Sequence, residues 1–270
     1  MAMAPSPNID LRSHSPPHSL LSQPSVITIA PENIRVVSTG KDWGMEPFRL
    51  AGMEYFCGCG ILTTDGDIWS RSRKLLKPTF NKSNLADLSF LSTQVDTMLW
   101  QLPNNGTTVD LQPLFYAMFL NTSLNFLLGI DPTKDSEGTP HTSEQFINAF
   151  HDALFFIVLK MILGEAWKLA PQTKYFNACK IAHEYLDFYV DQALAEAGAL
   201  DADTEKGLNN AAKLTVLRAL SVQTGMMASQ ETVSSLLGNA CFLLSRHPEY
   251  RQHLRDEAKD KGIALFNTTF

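Results

Sequence analysis

The chain has 270 residues, 44% hydrophobic and 19% charged, with 22 basic against 28 acidic side chains and a formal net charge of −6. A globular chain of this length makes one large domain or two ordinary ones. The acidic balance excludes a nucleic-acid binder that tracks phosphates, because such a surface needs clustered Lys and Arg. Of the four cysteines only Cys57 and Cys59 stand close together, which is no disulfide framework and points to a reducing compartment.

In chain order, residues 1–25 hold five of the 14 prolines, many serines, His14 and His18. This composition cannot offset its ordering entropy, so a disordered leader is expected, and its histidines read as solvated rather than metal-binding. It has no basic start followed by an apolar run, so no signal peptide is expected. Val26–Ile29 and Arg35–Val37 read as short strands bounded by Pro and Gly. From there on, helical periodicity dominates. Apolar stripes run through Leu85–Leu99, ending near Pro103, and through Leu111–Leu128, stopped by Gly129 and Asp131-Pro132. Further stripes cover Phe146–Ile162, Tyr175–Leu194 and Met226–Ser245, the last punctuated by His247-Pro248 because Pro suits a helix start and not its interior. Glu249–Lys261 is strongly helical, and residues 261–270 form an unpatterned, apolar tail. Polar linkers are expected at 131–143 and 197–208. The longest apolar run, Ala153–Gly164, is broken by Lys160 and falls short of the roughly 20 residues of a bilayer span, so no transmembrane helix is expected. The composition and pattern describe a soluble, mainly α protein.

Three segments say more. In Asp65–Pro78, Asp65 or Asp67 can cap a helix that carries Trp69 and, one turn later on the same face, Arg73. An indole N–H beside a guanidinium makes a clamp for a carboxylate or phosphate. Arg71, Lys74 and Lys77 add positive charge, and the plainer reading is a solvated basic helix with Trp69 packed on the core. In Ala228-Ser-Gln-Glu-Thr232, Glu231 and Thr232 interrupt an apolar helix. A hydroxyl beside a carboxylate can move protons or hold water, and a Thr bonding its i−4 carbonyl can bend the helix. The plainer reading is an exposed polar position. In Leu243–Arg255, His247 marks the junction of two helices.

Taken in this order, the three segments resemble the cytochrome P-450 family of haem-thiolate monooxygenases. Trp69 and Arg73 are similar to that family's Trp-x-x-x-Arg, which binds a haem propionate. Ala228–Thr232 resembles its distal-helix motif, with Ser229 in place of the usual Gly, and Leu-Ser-Arg-His-Pro-Glu249 resembles the helix junction that follows. Ala30–Ile34, Lys41–Gly44 and Leu62–Gly66 resemble the fungal microsomal branch that hydroxylates alkanes and fatty acids. The likeness spans about residues 26–258.

The resemblance implies a partial cytochrome P-450 fold over residues 26–260 with short N-terminal strands. It implies haem as cofactor, an apolar substrate, a reductase as partner and a location at the endoplasmic reticulum membrane. Glu231 and Thr232 would supply protons for oxygen activation, Trp69 and Arg73 would hold the porphyrin, and the aromatic-rich helices of 144–195 would roof the substrate channel unless that face is core.

The sequence departs from the family in having no Phe-x-x-Gly-x-x-x-Cys ligand loop. Glu32-Asn-Ile-Arg35 matches a second family pattern by letters but lies in the wrong region. Cys57, Cys59, Cys179 and Cys241 are out of the ligand context. Cys57-Gly-Cys59 lacks further ligands for a soft metal, so no metal site is assigned, and Cys241 is expected in the core. The family's membrane anchor has no counterpart, and Leu220–Met227 is short for the linker expected there. The expectation is therefore a truncated, inactive family member. The alternatives are a non-catalytic helical interaction protein and a nonfunctional product with one bare helix face.

Overall fold

In a computed structural model, residues 28–40, 42–80, 87–134, 137–200 and 226–260 are described. Among them the chain forms nine α-helices. They are α1 (Pro31–Thr39), α2 (Glu46–Cys57), α3 (Gly66–Leu76), α4 (Ser89–Trp100), α5 (Gln112–Leu128), α6 (Ser143–Leu163), α7 (Thr173–Leu200), α8 (Thr232–Arg246) and α9 (Pro248–Asp260). A π turn, Met227–Glu231, leads directly into α8.

The antiparallel-spaced pair α6 and α7 is the most extensive helix contact and carries the core. α6 starts at a capping box in which Thr142 Oγ1 accepts from the Gln145 N–H at 3.1 Å and Gln145 Oε1 accepts from the Thr142 N–H at 2.9 Å. Two of the orphan donors at the helix start are thereby satisfied. Along the α6–α7 seam, Phe146, Phe150, Tyr185 and Tyr189 are essentially inaccessible. Phe146 stacks on Tyr185 at 4.5 Å between ring centroids, and Tyr185 shares a hydrogen bond with Ser143 Oγ at 3.0 Å. The aromatic-rich face of 144–195 is thus largely core. α5 lies across this pair, burying Phe115, Met118, Leu120 and Leu124. It ends at Gly129, whose φ of 79° continues the chain in the left-handed region that favours glycine.

α2 closes one side of the core with Met53, Phe56 and Cys57. His183 of α7 bonds the carbonyl of Phe56 at 3.1 Å. α8 packs on α5, and α9 follows α8 at the His247-Pro248 junction, where the His247 ring bonds Glu249 at 3.2 Å.

Several sequence expectations are corrected. Arg35–Val37 is not a strand but the middle of α1, because Pro31 sits at the helix start with its preset φ and Glu32 in the first turn favours the dipole. Thr28 makes an isolated bridge, and the described residues contain no sheet. Glu32 and Arg35 therefore share a helix. α7 runs on to Leu200, through the start of the expected 197–208 linker. α6 is 21 residues long and, by length and composition alone, apolar enough to cross a membrane. The sequence estimate began at Ala153 because His151 and Asp152 interrupt the run. One face of α6 is buried against α7 and α2, as in the core helix of a globular fold. Cys241 is exposed, as are Leu236, Phe242 and Leu243 on the same helix. Expectations on residues 1–25, Val26-Ile27, Leu85, 201–208, Leu220–Gly225 and 261–270 lie outside the described residues.

Candidate functional site

The first part of the site is held by the loop that precedes α3. Gly58 adopts a φ of 66°, reversing the chain after α2. Thr63 Oγ1 donates to the Gly58 carbonyl at 2.6 Å and Thr64 Oγ1 to the Gly60 carbonyl at 2.8 Å, both from buried threonines. Arg49 of α2 donates to the Leu62 carbonyl at 3.1 Å. Asp65 occupies the N-cap position of α3 but makes no side-chain cap to it. Its carboxylate instead accepts the Glu46 N–H at 2.7 Å, so it caps α2 and not α3.

On α3 the Arg73 guanidinium carbon stands 5.3 Å from the Trp69 ring centroid. The i,i+4 spacing brings the two together as expected, and a guanidinium over an indole face is held by cation–π attraction. Trp69 is 38% exposed and Arg73 is exposed. Trp69 does not pack into the core, contrary to the plainer sequence reading. Among the described residues neither the indole N–H nor the guanidinium spends a donor on another protein group. Arg71, Lys74 and Lys77 are exposed around them.

The second part lies at the π turn. Thr232 is exposed, and its Oγ1 donates to the Ala228 carbonyl at 2.6 Å, the back-bond that the sequence allowed. The π turn at Met227–Glu231 is the local distortion this bond accompanies. Glu231 goes the other way. Its Oε1 accepts from Tyr116 Oη of α5 at 3.1 Å and from Ser235 Oγ at 3.4 Å. Its Oε2 lies 2.8 Å from His151 Nε2 of α6. Partial burial and the Glu231 carboxylate together push the Tyr116 phenol above its ordinary range, so it stays a donor. Gln230, just before Glu231 in sequence, is fully buried, and among the described residues neither its amide oxygen nor its amide nitrogen has a partner.

Trp69 and Arg73 are therefore adjacent, whereas Glu231 and Thr232, adjacent in sequence, face different surroundings. α3 makes no extensive contact with α8. Tyr116 and His151 escaped the sequence reading. Their only signal was a polar group placed on otherwise apolar helices, 115 and 80 residues away from Glu231.

The donor set at Trp69 and Arg73 fits a haem propionate, with an unspent N–H and an unspent fork of guanidinium N–H groups on one exposed face. The axial thiolate is a different matter. Burial pushes the Cys57 thiol up to about 12 and the Cys179 thiol up to about 11, so neither is a ready thiolate. Cys59 is exposed just past α2, and Cys241 lies on α8 about 13 Å along the axis from Thr232. Among the described residues no group of three or more His, Cys, Asp and Glu side chains is placed to hold a metal ion.

Comparison with known proteins places this helical arrangement in a family. The cytochrome P450 family model matches residues 17–261, and the chain belongs to that family. It is 30% identical over 271 residues to cytochrome P450 52E1 of Candida apicola, a match covering 92% of this chain and 51% of that protein. It is 32% identical over 260 residues to the cytochrome P450 monooxygenase fsdH of Fusarium heterosporum, covering 87% and 45%. Against the cytochrome P450 monooxygenase himC of Aspergillus japonicus the identity is 34% over 251 residues, covering 86% and 44%. The chain thus spans about half the length of the curated relatives it matches. The family's cofactor is haem, and these relatives are fungal.

Proposed function

We propose that this chain carries the distal half of a haem-thiolate monooxygenase acting on an apolar substrate of the alkane or fatty-acid class. In this reading Trp69 and Arg73 bind a haem propionate, and Glu231 and Thr232 handle protons on the distal face. When bound, the haem supplies the chemistry that inserts one atom of dioxygen into an unactivated C–H bond. The residues of this chain do the rest. The Trp69 indole and Arg73 guanidinium orient the cofactor through charge-assisted hydrogen bonds to a carboxylate. Thr232 offers an exposed hydroxyl anchored by its bond to Ala228, and the Glu231 carboxylate is held in a hydrogen-bonded cluster with Tyr116, Ser235 and His151.

The observation that carries the reading is the exposed Trp69–Arg73 pair, whose donors bond no other group among the described residues. The axial ligand has no counterpart among these residues, so the 270-residue chain by itself is expected to bind haem without thiolate ligation and to be inactive. Electrons from a reductase and a site at the endoplasmic reticulum membrane belong to the same proposal.

Titration of the purified chain with haemin, followed in the Soret region, tests it. Saturable binding in the wild type that weakens in Arg73→Leu supports the propionate clamp, and equal binding by both proteins refutes it. A thiolate-type band in the reduced carbon monoxide spectrum would overturn the expectation of inactivity.

A second reading, a helical interaction protein working without haem, draws on the exposed apolar row Leu236, Phe242, Leu243, Tyr250 and Leu254 along α8 and α9. Monodisperse helical protein that ignores haemin supports this reading. Aggregated protein supports a nonfunctional product.

A further inference from the structure

We propose that His151 and Tyr116 are positioning residues that turn the Glu231 carboxylate away from Thr232 and toward helices α5 and α6. This rests on the reading above, in which Glu231 handles protons near Thr232. The two oxygens of Glu231 have different surroundings. Oε1 accepts from two hydroxyls, Tyr116 Oη at 3.1 Å and Ser235 Oγ at 3.4 Å. A carboxylate oxygen with both lone pairs engaged by donors is a poor place for a proton. Among the described residues Oε2 has one hydrogen-bonding neighbour, His151 Nε2 at 2.8 Å. Oε2, the oxygen without hydroxyl donors, therefore faces the imidazole of α6.

The imidazole is itself held. The Tyr116 ring meets His151 edge-on, with centroids 4.3 Å apart and planes at 61°. One tyrosine thus orients both members of the pair, through its hydroxyl and through its ring. The side chains of His151 and Glu231 keep 32% and 30% of their surface exposed, so water reaches both members of the pair. Thr232 makes no claim on Glu231, because its hydroxyl hydrogen is committed to the Ala228 carbonyl at 2.6 Å. Reaching Thr232 requires the carboxylate to rotate and break the 2.8 Å contact.

The test uses the 270-residue chain with carbon-13 at the glutamate side-chain carboxyl. The Glu231 resonance is identified as the one lost in Glu231→Gln. It is expected to shift in Tyr116→Phe and in His151→Leu, to return toward its wild-type position in His151→Gln, which keeps an N–H donor, and to stay in place in His253→Leu, a control at an exposed residue. An unmoved resonance in His151→Leu, or equal displacement in the Leu and Gln variants, overturns the proposal. Should His151→Leu fail to fold, an unmoved resonance in Tyr116→Phe overturns it equally, since that change removes one hydroxyl. Haemin titration of the same samples separates the two readings. Shifts present with no haem binding reject the monooxygenase reading and leave the positioning role. Haem binding with no shifts does the reverse.

Discussion

Glu46 and Asp65 exchange hydrogen bonds across nineteen residues: the Glu46 N–H donates to Asp65 Oδ2 at 2.7 Å, and the Asp65 N–H donates to Glu46 Oε2 at 3.0 Å. The exchange satisfies an orphan donor at the start of α2 and fixes the entry to α3, the helix of Trp69 and Arg73. It is a capping box made between two helices instead of within one.

Removing it has a measurable cost. Asp65→Ala is expected to lower stability by about 1 kcal/mol, the usual value of a side-chain cap, and Asp65→Asn by less. A Cβ on Gly44 would collide with Asp65 Oδ2, so Gly44→Ala should reproduce much of the loss by displacing the carboxylate. Urea denaturation midpoints of the three variants check the ordering.

Gln230 is buried, and among the described residues both its amide atoms lack a partner. An unsatisfied buried polar group costs about 1–3 kcal/mol. Gln230→Met, similar in length and without that requirement, is expected to stabilise the chain. A destabilised Gln230→Met would mean that an internal water completes the amide.

Leu120 is fully buried on α5 as part of the core cluster shared with α6 and α7. Leu120→Ala is expected to cost about 2–5 kcal/mol through lost transfer energy and the cavity left behind. Thr142→Ala removes only one capping bond and should cost about 1 kcal/mol. Thermal unfolding of both variants tests whether the core or the cap dominates.

The buried thiols predict alkaline sensitivity. An unfolded cysteine ionises near its ordinary value of 9.0, whereas Cys57 in the fold does so only at about 12, because burial and the neighbouring Cys179 disfavour the thiolate. Above pH 9 the unfolded state therefore sheds protons that the native state retains, and stability falls as pH rises toward 12. Below pH 9 the contribution is complete. Denaturation midpoints between pH 7 and 10.5 should decline, and less steeply in Cys57→Ala. A thiol reagent at neutral pH should modify exposed Cys59 and Cys241 quickly and leave Cys57 and Cys179 until the chain unfolds.

Local rules reach different depths along this chain. The stop at Gly129 and the junction at His247-Pro248 were legible because glycine and proline act through their own backbone preferences. Trp69 and Arg73 were legible as a pair because four-residue spacing on a helix suffices to bring them together. Arg35–Val37 was misread because three β-branched or long residues say less than the proline and acid that start the helix before them. Cys241 was misread because helical periodicity shows which face is apolar and not whether anything packs on it.

The sequence by itself determined the helical class, most helix boundaries, the family likeness and the pairing of Trp69 with Arg73 on one helix face, since each rests on interactions within a turn or two of one helix. Only the tertiary structure decided where Glu231 points. Its partners come from α5 and α6, 115 and 80 residues away, and contacts at that separation are set by how three helices pack, which no local spacing encodes.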